Sequence, residues 1–167
     1  MRQIRSGVFE TNSSSTHSLT FIGRNNPLEK SYLRVRDDGY VHVDFGEFGW
    51  GYDRLRSQGE KLSYLCTLAA CADSKMSSNE DFYQNPGFQA INDVIKEKCE
   101  CKGLIIDTTI TRYVTEDKAT SWPEFEGYID HQSIYASLQG FLDDYGVTIE
   151  QVIFSGGVEI IIDKDNH

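Results

Sequence analysis

The run Arg5-Ser6-Gly7-Val8-Phe9-Glu10-Thr11-Asn12-Ser13-Ser14-Ser15-Thr16-His17-Ser18-Leu19-Thr20 carries the densest chemistry in the chain. Six hydroxyl residues (Thr11, Ser13, Ser14, Ser15, Thr16, Ser18) surround the amide of Asn12 and the imidazole of His17. An imidazole titrates near neutrality, so His17 can serve as a general base or proton donor. Hydroxyls and backbone N–H groups can hold a phosphate or carboxylate, and Arg5 can add bidentate charge pairing. The run cannot be a buried strand, because each hydroxyl would need a partner. Apolar residues flank it, so the expected geometry is a short strand over 8–10, a polar turn, and a second strand over 18–22. One reading makes His17 catalytic and Arg5, Glu10, Asn12, Ser13, Ser14 and Ser15 ligand-binding. It expects His17, Asn12 and at least one of the three serines to line a concave surface. It also expects His17→Ala to cost less than about 1 kcal/mol of stability. The competing reading is a turn whose side chains satisfy their own backbone.

Three further constellations invite chemistry. Asp130-His131-Gln132-Ser133 precedes a predicted helix, a place from which side chains can point into a cleft, although Ser133 also serves as a helix cap. His131 is the second candidate catalytic residue, sharing a site with His17, and Asp130 is a candidate ligand-binding residue. His131-Gln132-Ser133-Ile134 matches one half of a two-histidine phosphoesterase pattern, but Leu19 breaks the other half, so that class is not expected. Gly46-Glu47-Phe48-Gly49-Trp50-Gly51-Tyr52 sets three glycines among aromatics. Its rings either fold over the core or leave Trp50 and Tyr52 as a stacking platform for a partner. Cys66, Cys71, Cys99 and Cys101 lack any Cys-x-x-Cys, and five residues along a helix turn about 140°. They are expected as reduced, buried thiols, with no metal and no cofactor. Glu124-Phe125-Glu126 has the spacing of an ADP-ribosyltransferase pair without the rest of that pattern.

Elements that could position these groups follow from periodicity. Residues 32–36 and 40–45 alternate around Asp37-Asp38-Gly39. A three-residue loop with Gly39 left-handed pairs Val35 with Val41 and Leu33 with Val43, which puts the apolar residues on one face. Arg34, Arg36, Tyr40, His42 and Asp44 then fall on a solvated face. A helix is expected over 57–72, with Leu62, Leu65, Cys66, Leu68, Ala69 and Ala72 as its stripe. Residues 73–81 read as a polar loop. Asn85-Pro86 starts a second helix, residues 104–114 a strand, 115–128 an irregular segment, and 133–145 a third helix. Thr148 and Gln151 suggest a capping box. Residues 152–154 and 158–162 read as closing strands. The expected fold class is α+β, an antiparallel or mixed sheet with about three helices packed on one face, in a single domain spanning 1–167.

Composition narrows the function classes. The chain has 167 residues, 39% hydrophobic and 12% aromatic, which fits a folded globule. Its net charge of −10 and pI near 4.8 disfavour broad binding to nucleic acid and permit a protein partner with a basic surface. The absence of a long apolar run and of an apolar leader supports an expectation of no membrane association and a cytoplasmic location.

The opening run, from Gly7 to Ser18, resembles the opening of a family of small uncharacterised proteins from bacteria of the Firmicutes type and their phages. Phe48-Gly49-Trp50-Gly51 and Asp130-His131-Gln132-Ser133 are similar to that family too. The resemblance implies a shared site and a mobile-element setting, and no particular chemistry. The combined expectation is an acidic phage or mobile-element accessory protein that binds a host protein, with counter-defence inhibition one role. The alternative is a small enzyme or a nucleotide- or phosphate-binding protein that uses His17, Ser13 to Ser15 and His131.

Overall fold

The structure, a computed structural model, describes residues 2–4, 15–21, 26–49, 51–114, 116, 121–129 and 135–164. Among them run β1 (Arg2–Ile4), β2 (Ser15–Phe21), β3 (Val41–Val43), β4 (Glu47–Phe48), β5 (Asp53–Leu55), α1 (Gln58–Cys71), α2 (Asn79–Tyr83), α3 (Pro86–Cys99), β6 (Leu104–Ile106), β7 (Thr111–Val114), β8 (Ser121–Glu124), β9 (Tyr128–Ile129), α4 (Leu138–Tyr145), α5 (Ile149–Phe154) and β10 (Val158–Lys164). The class is α+β. Three helices have eight residues or more, and α2 and α5 are short additions to the expected set. No helix among the described residues is long and apolar enough to cross a membrane.

The largest sheet is antiparallel in the order β1-β2-β10-β5. Its register sets Leu19 opposite Ile160 and His17 opposite Ile162, and Leu55 faces Ile160 from the other side. These side chains are buried together with Val158, as one face of a period-two pattern requires. The strand expected before the polar run, over 8–10, lies outside the described residues. The run's own end corrects the expectation that it could not be a buried strand: β2 starts at Ser15, and His17, Ser18 and Thr20 are buried in it. It is β1 that pairs with β2, Ile4 opposite Leu19.

Helix α1 is the element against which the others pack. Ser57 and Glu60 close a full capping box at its start. The expected stripe of Leu62, Leu65, Cys66, Leu68 and Ala69 is buried, and so are Lys61, Tyr64, Thr67 and Ala70 on other sides. A helix buried this far round is enclosed rather than amphipathic. It contacts α3, α4, α5, β3 and β9.

The 36–40 loop has the expected register. Val35 bridges Val41, Arg36 N–H donates to Tyr40 O at 2.8 Å, and Gly39 adopts φ +89°. A positive φ suits glycine, which has no Cβ to clash. The expected Leu33–Val43 pair does not form: the hairpin stops at that single bridge, because β3 turns to pair in parallel with β6, Val41 opposite Leu104 and Val43 opposite Ile106. β4 pairs in parallel with β9, and β7 with β8 antiparallel.

Two expected strands are corrected. Residues 104–114 divide into β6 and β7, because the Asn79 side chain takes the backbone groups between them. Its Nδ2 donates to Ile106 O and Thr108 O, and its Oδ1 accepts from Ile110 N–H. That Asn79 lies on α2, inside the segment expected to be loop. Residues 152–154 belong to α5, started by the Thr148–Gln151 capping box. A short apolar run does not distinguish a strand from a buried helix. The third helix starts later than expected, with Ser137 as its cap.

Candidate functional site

His17 occupies the middle of β2 with its ring on the inward face, 5% exposed. Its Nδ1 lies 2.7 Å from the hydroxyl of Tyr64, which is completely buried on α1. Burial holds the Tyr64 hydroxyl well above its ordinary pKa, so it stays protonated. Tyr145, at the end of α4, donates its hydroxyl to the His17 carbonyl at 3.0 Å. Phe48 and Phe141 pack on the Tyr64 ring at 5.1 and 5.9 Å. Two tyrosines from two helices thus fix the ring and backbone of His17 inside the protein. This placement differs from the surface position the catalytic reading expects. It gives His17 a bond that joins sheet to helix.

Ser15 begins β2 opposite Lys164. Arg5, Glu10, Asn12, Ser13, Ser14, Trp50, Asp130 and His131 lie outside the described residues. Tyr52 is 60% exposed, whereas Phe48 from the same loop is buried. β4 and β9 run parallel, so Phe48 and Ile129 end the pair side by side. Described parts of two of the motifs, His17 and Phe48, meet at Tyr64, and β9 packs on the helix that carries it. All four cysteines are free thiols. Burial pushes Cys66 up to about 12, which makes it inert as a nucleophile.

A second group of charged residues forms around the β3–β6 pair. His42, expected on a solvated face, has a side chain only 11% exposed. Its Nδ1 lies 2.7 Å from Asp107 Oδ1 and its Nε2 lies 2.7 Å from Asp38 Oδ2. Hydrogen bonding to Asp107, and then to Asp38, raises the His42 pKa above its ordinary value. Asp38 is lowered, first by the Tyr40 N–H it accepts and then by His42. Arg36 Nη2 donates to the other oxygen of Asp107 at 3.2 Å. The sequence displays Asp38 and His42 four residues apart, but nothing local to them points to Asp107.

Asp107 also lines an open cleft of about 600 Å³ with Asp44, Phe45, Thr108, Thr109 and Glu126. Thr108 shapes one wall: its hydroxyl accepts Phe45 N–H at 3.0 Å and lies 3.4 Å from Asp44 Oδ1. Phe45, at the base of the cleft, is buried and packs on Phe125 at 5.0 Å. Gly127 permits this packing, since a Cβ there would lie 2.6 Å from that of Phe45. Asp44 and Glu126 have no cationic partner among the described residues. No group of three or more His, Cys, Asp or Glu side chains among the described residues is arranged to hold a metal ion.

No family model matches the chain, and neither a curated protein nor a solved structure matches it.

Proposed function

We propose that the protein is a non-catalytic binding protein that takes a basic segment of a partner protein into the Asp44–Asp107–Glu126 cleft. The observation that carries this reading is the pair of carboxylates, Asp44 and Glu126, that line the cleft without a cationic partner among the described residues. The net charge of −10 supports it, because a negative field steers a basic partner toward the surface. The mobile-element setting implied by the opening run makes that partner a host protein in the cytoplasm, with counter-defence inhibition one role. The enzyme alternative loses support from the enclosure of His17: a ring bonded to Tyr64 inside the core is poorly placed to exchange protons with a substrate.

Fluorescence anisotropy with a labelled arginine-rich peptide tests the reading, with a glutamate-rich peptide of equal length as control. Wild type should prefer the basic peptide, and added salt should weaken binding. Asp44→Asn with Glu126→Gln should weaken it about tenfold. Equal affinity for both peptides, or a double variant that binds like wild type, would overturn the proposal.

A further inference from the structure

We propose that His42 is a proton-operated latch that releases Asp107 to the cleft when it deprotonates. This inference deepens the reading above and rests on it for the identity of the cleft's ligand. The geometry carries the latch. A carboxylate only accepts hydrogen bonds, so contacts of 2.7 Å from both ring nitrogens to Asp107 and Asp38 require a proton on each nitrogen. Neutral imidazole has one N–H. On losing the other proton it would set a lone pair against a carboxylate, and one of the two contacts must open.

The surroundings decide what that opening does. In the closed state, His42 and Arg36 balance Asp38 and Asp107, so the four groups sum to zero charge. Arg34 and Asp44 near β3, and Glu60 on α1, line a second cavity with His42, and Asp44 lines the cleft as well. Lys102, from the turn before β6, donates its ammonium to Asp38 O at 2.9 Å. Asp38 is thus anchored in its turn by the Tyr40 N–H, while Asp107 stands at the cleft wall. Deprotonation leaves the group with a net charge of about −1, and the freed capacity of Asp107 faces the cleft. A cationic side chain that engages Asp107 competes with His42 for it. By reciprocity, binding lowers the affinity of His42 for its proton, and raising the pH strengthens binding. The folded pKa of His42 is raised above 6.5. The latch's contribution to stability is therefore fully present below that ordinary value and is lost as pH rises through the folded one.

Nitrogen–proton NMR of the imidazole rings tests the latch on the free protein, with the His42 resonances assigned by their loss in His42→Gln. His42 should titrate above 6.5 with both nitrogens protonated below it, and Asp38→Asn, outside the cleft, should move the titration back toward that value. Titration at or below the ordinary value, or no response to Asp38→Asn, overturns the proposal. The arginine-rich peptide should bind about fivefold tighter at roughly pH 8.5 than at roughly pH 5.5, a dependence that His42→Gln should abolish. Binding that is equal at the two pH values overturns the release of Asp107. Absence of peptide binding at both, with the raised His42 titration intact, supports the latch and overturns the cleft reading instead.

Discussion

Tyr64 brings a hydroxyl into the buried interior, and His17 is the partner that makes this tolerable. His17→Ala removes the partner and leaves the hydroxyl enclosed, which costs about 1–3 kcal/mol. Tyr64→Phe should cost less, since the ring keeps its contacts with Phe48 and Phe141. The two changes should be sub-additive, because each removes the same bond. Urea titration measures all three variants, and a wild-type midpoint for His17→Ala would refute the role assigned here. Lys61 poses the same problem with a charge. Its Nζ donates to Ser155 O at 2.9 Å and Val158 O at 3.0 Å. Burial lowers its pKa to about 8, against the opposing pull of Glu29, Glu159 and Glu60. Between that value and the ordinary 10.5 the unfolded chain holds the extra proton, so this group adds stability as pH rises and loses it as pH falls through about 8. Cys66 acts in reverse, because its thiol is held up to about 12 from an ordinary 9.0. Comparing wild type with Lys61→Met isolates the lysine, since both keep Cys66. Wild type should gain on the variant as pH climbs through that window, and a constant difference in urea midpoint would refute the lowered pKa.

Elements were legible in the sequence where local chemistry decides them. Ser57 with Glu60, Asn85 with Pro86, and Gly146 mark the ends of α1, α3 and α4 by backbone groups within a few residues. Gly39 set the register of the 36–40 loop for the same reason. What was not legible depends on partners far along the chain. The β6–β7 break is made by Asn79, a residue from a segment with no helical stripe. The pairing of β3 with β6, rather than with its own hairpin partner, depends on α3 bringing Leu104 back beside Val41. The cleft was illegible on the same grounds: Asp44, Asp107 and Glu126 are neighbours only after β3 and β6 pair and the 125–127 turn packs on Phe45. The enclosure of His17 was hidden because its partner Tyr64 is 47 positions away. Asn79→Ala tests the break directly. It leaves Ile106 O, Thr108 O and Ile110 N–H without their side-chain partner, and the expected loss is about 2–3 kcal/mol in chemical denaturation. A change below about 0.5 kcal/mol would show that solvent satisfies those groups as well.

At the scale of the whole molecule, one helix connects groups of strands that do not hydrogen-bond to each other. The four-stranded sheet stands apart from the β3–β6, β4–β9 and β7–β8 pairs. α1 reaches the sheet twice, through Tyr64 to His17 and through Lys61 to Val158 O. It reaches the smaller pairs through contacts with β3 and β9, and through Ser63 Oγ, which donates to Asp44 O at 2.7 Å. Its C-terminal half packs with α3, α4 and α5 in one apolar cluster that includes Leu65, Leu68, Ile91, Phe141 and Val152. With α1 shared by the four-stranded sheet and by the β3–β6 and β4–β9 pairs, none of these three can lose its packing without exposing the helix that stabilises the others. Unfolding is therefore expected to be a single transition. Far-ultraviolet and near-ultraviolet circular dichroism should give superimposable urea curves for wild type. Lys61→Met acts at the large sheet and Asn79→Ala at the β6–β7 break, yet each should move both curves together. If Asn79→Ala instead separated an early near-ultraviolet loss from a later loss of helix, the strand pairs beyond α1 would form a unit of their own, with the cleft on the less stable part.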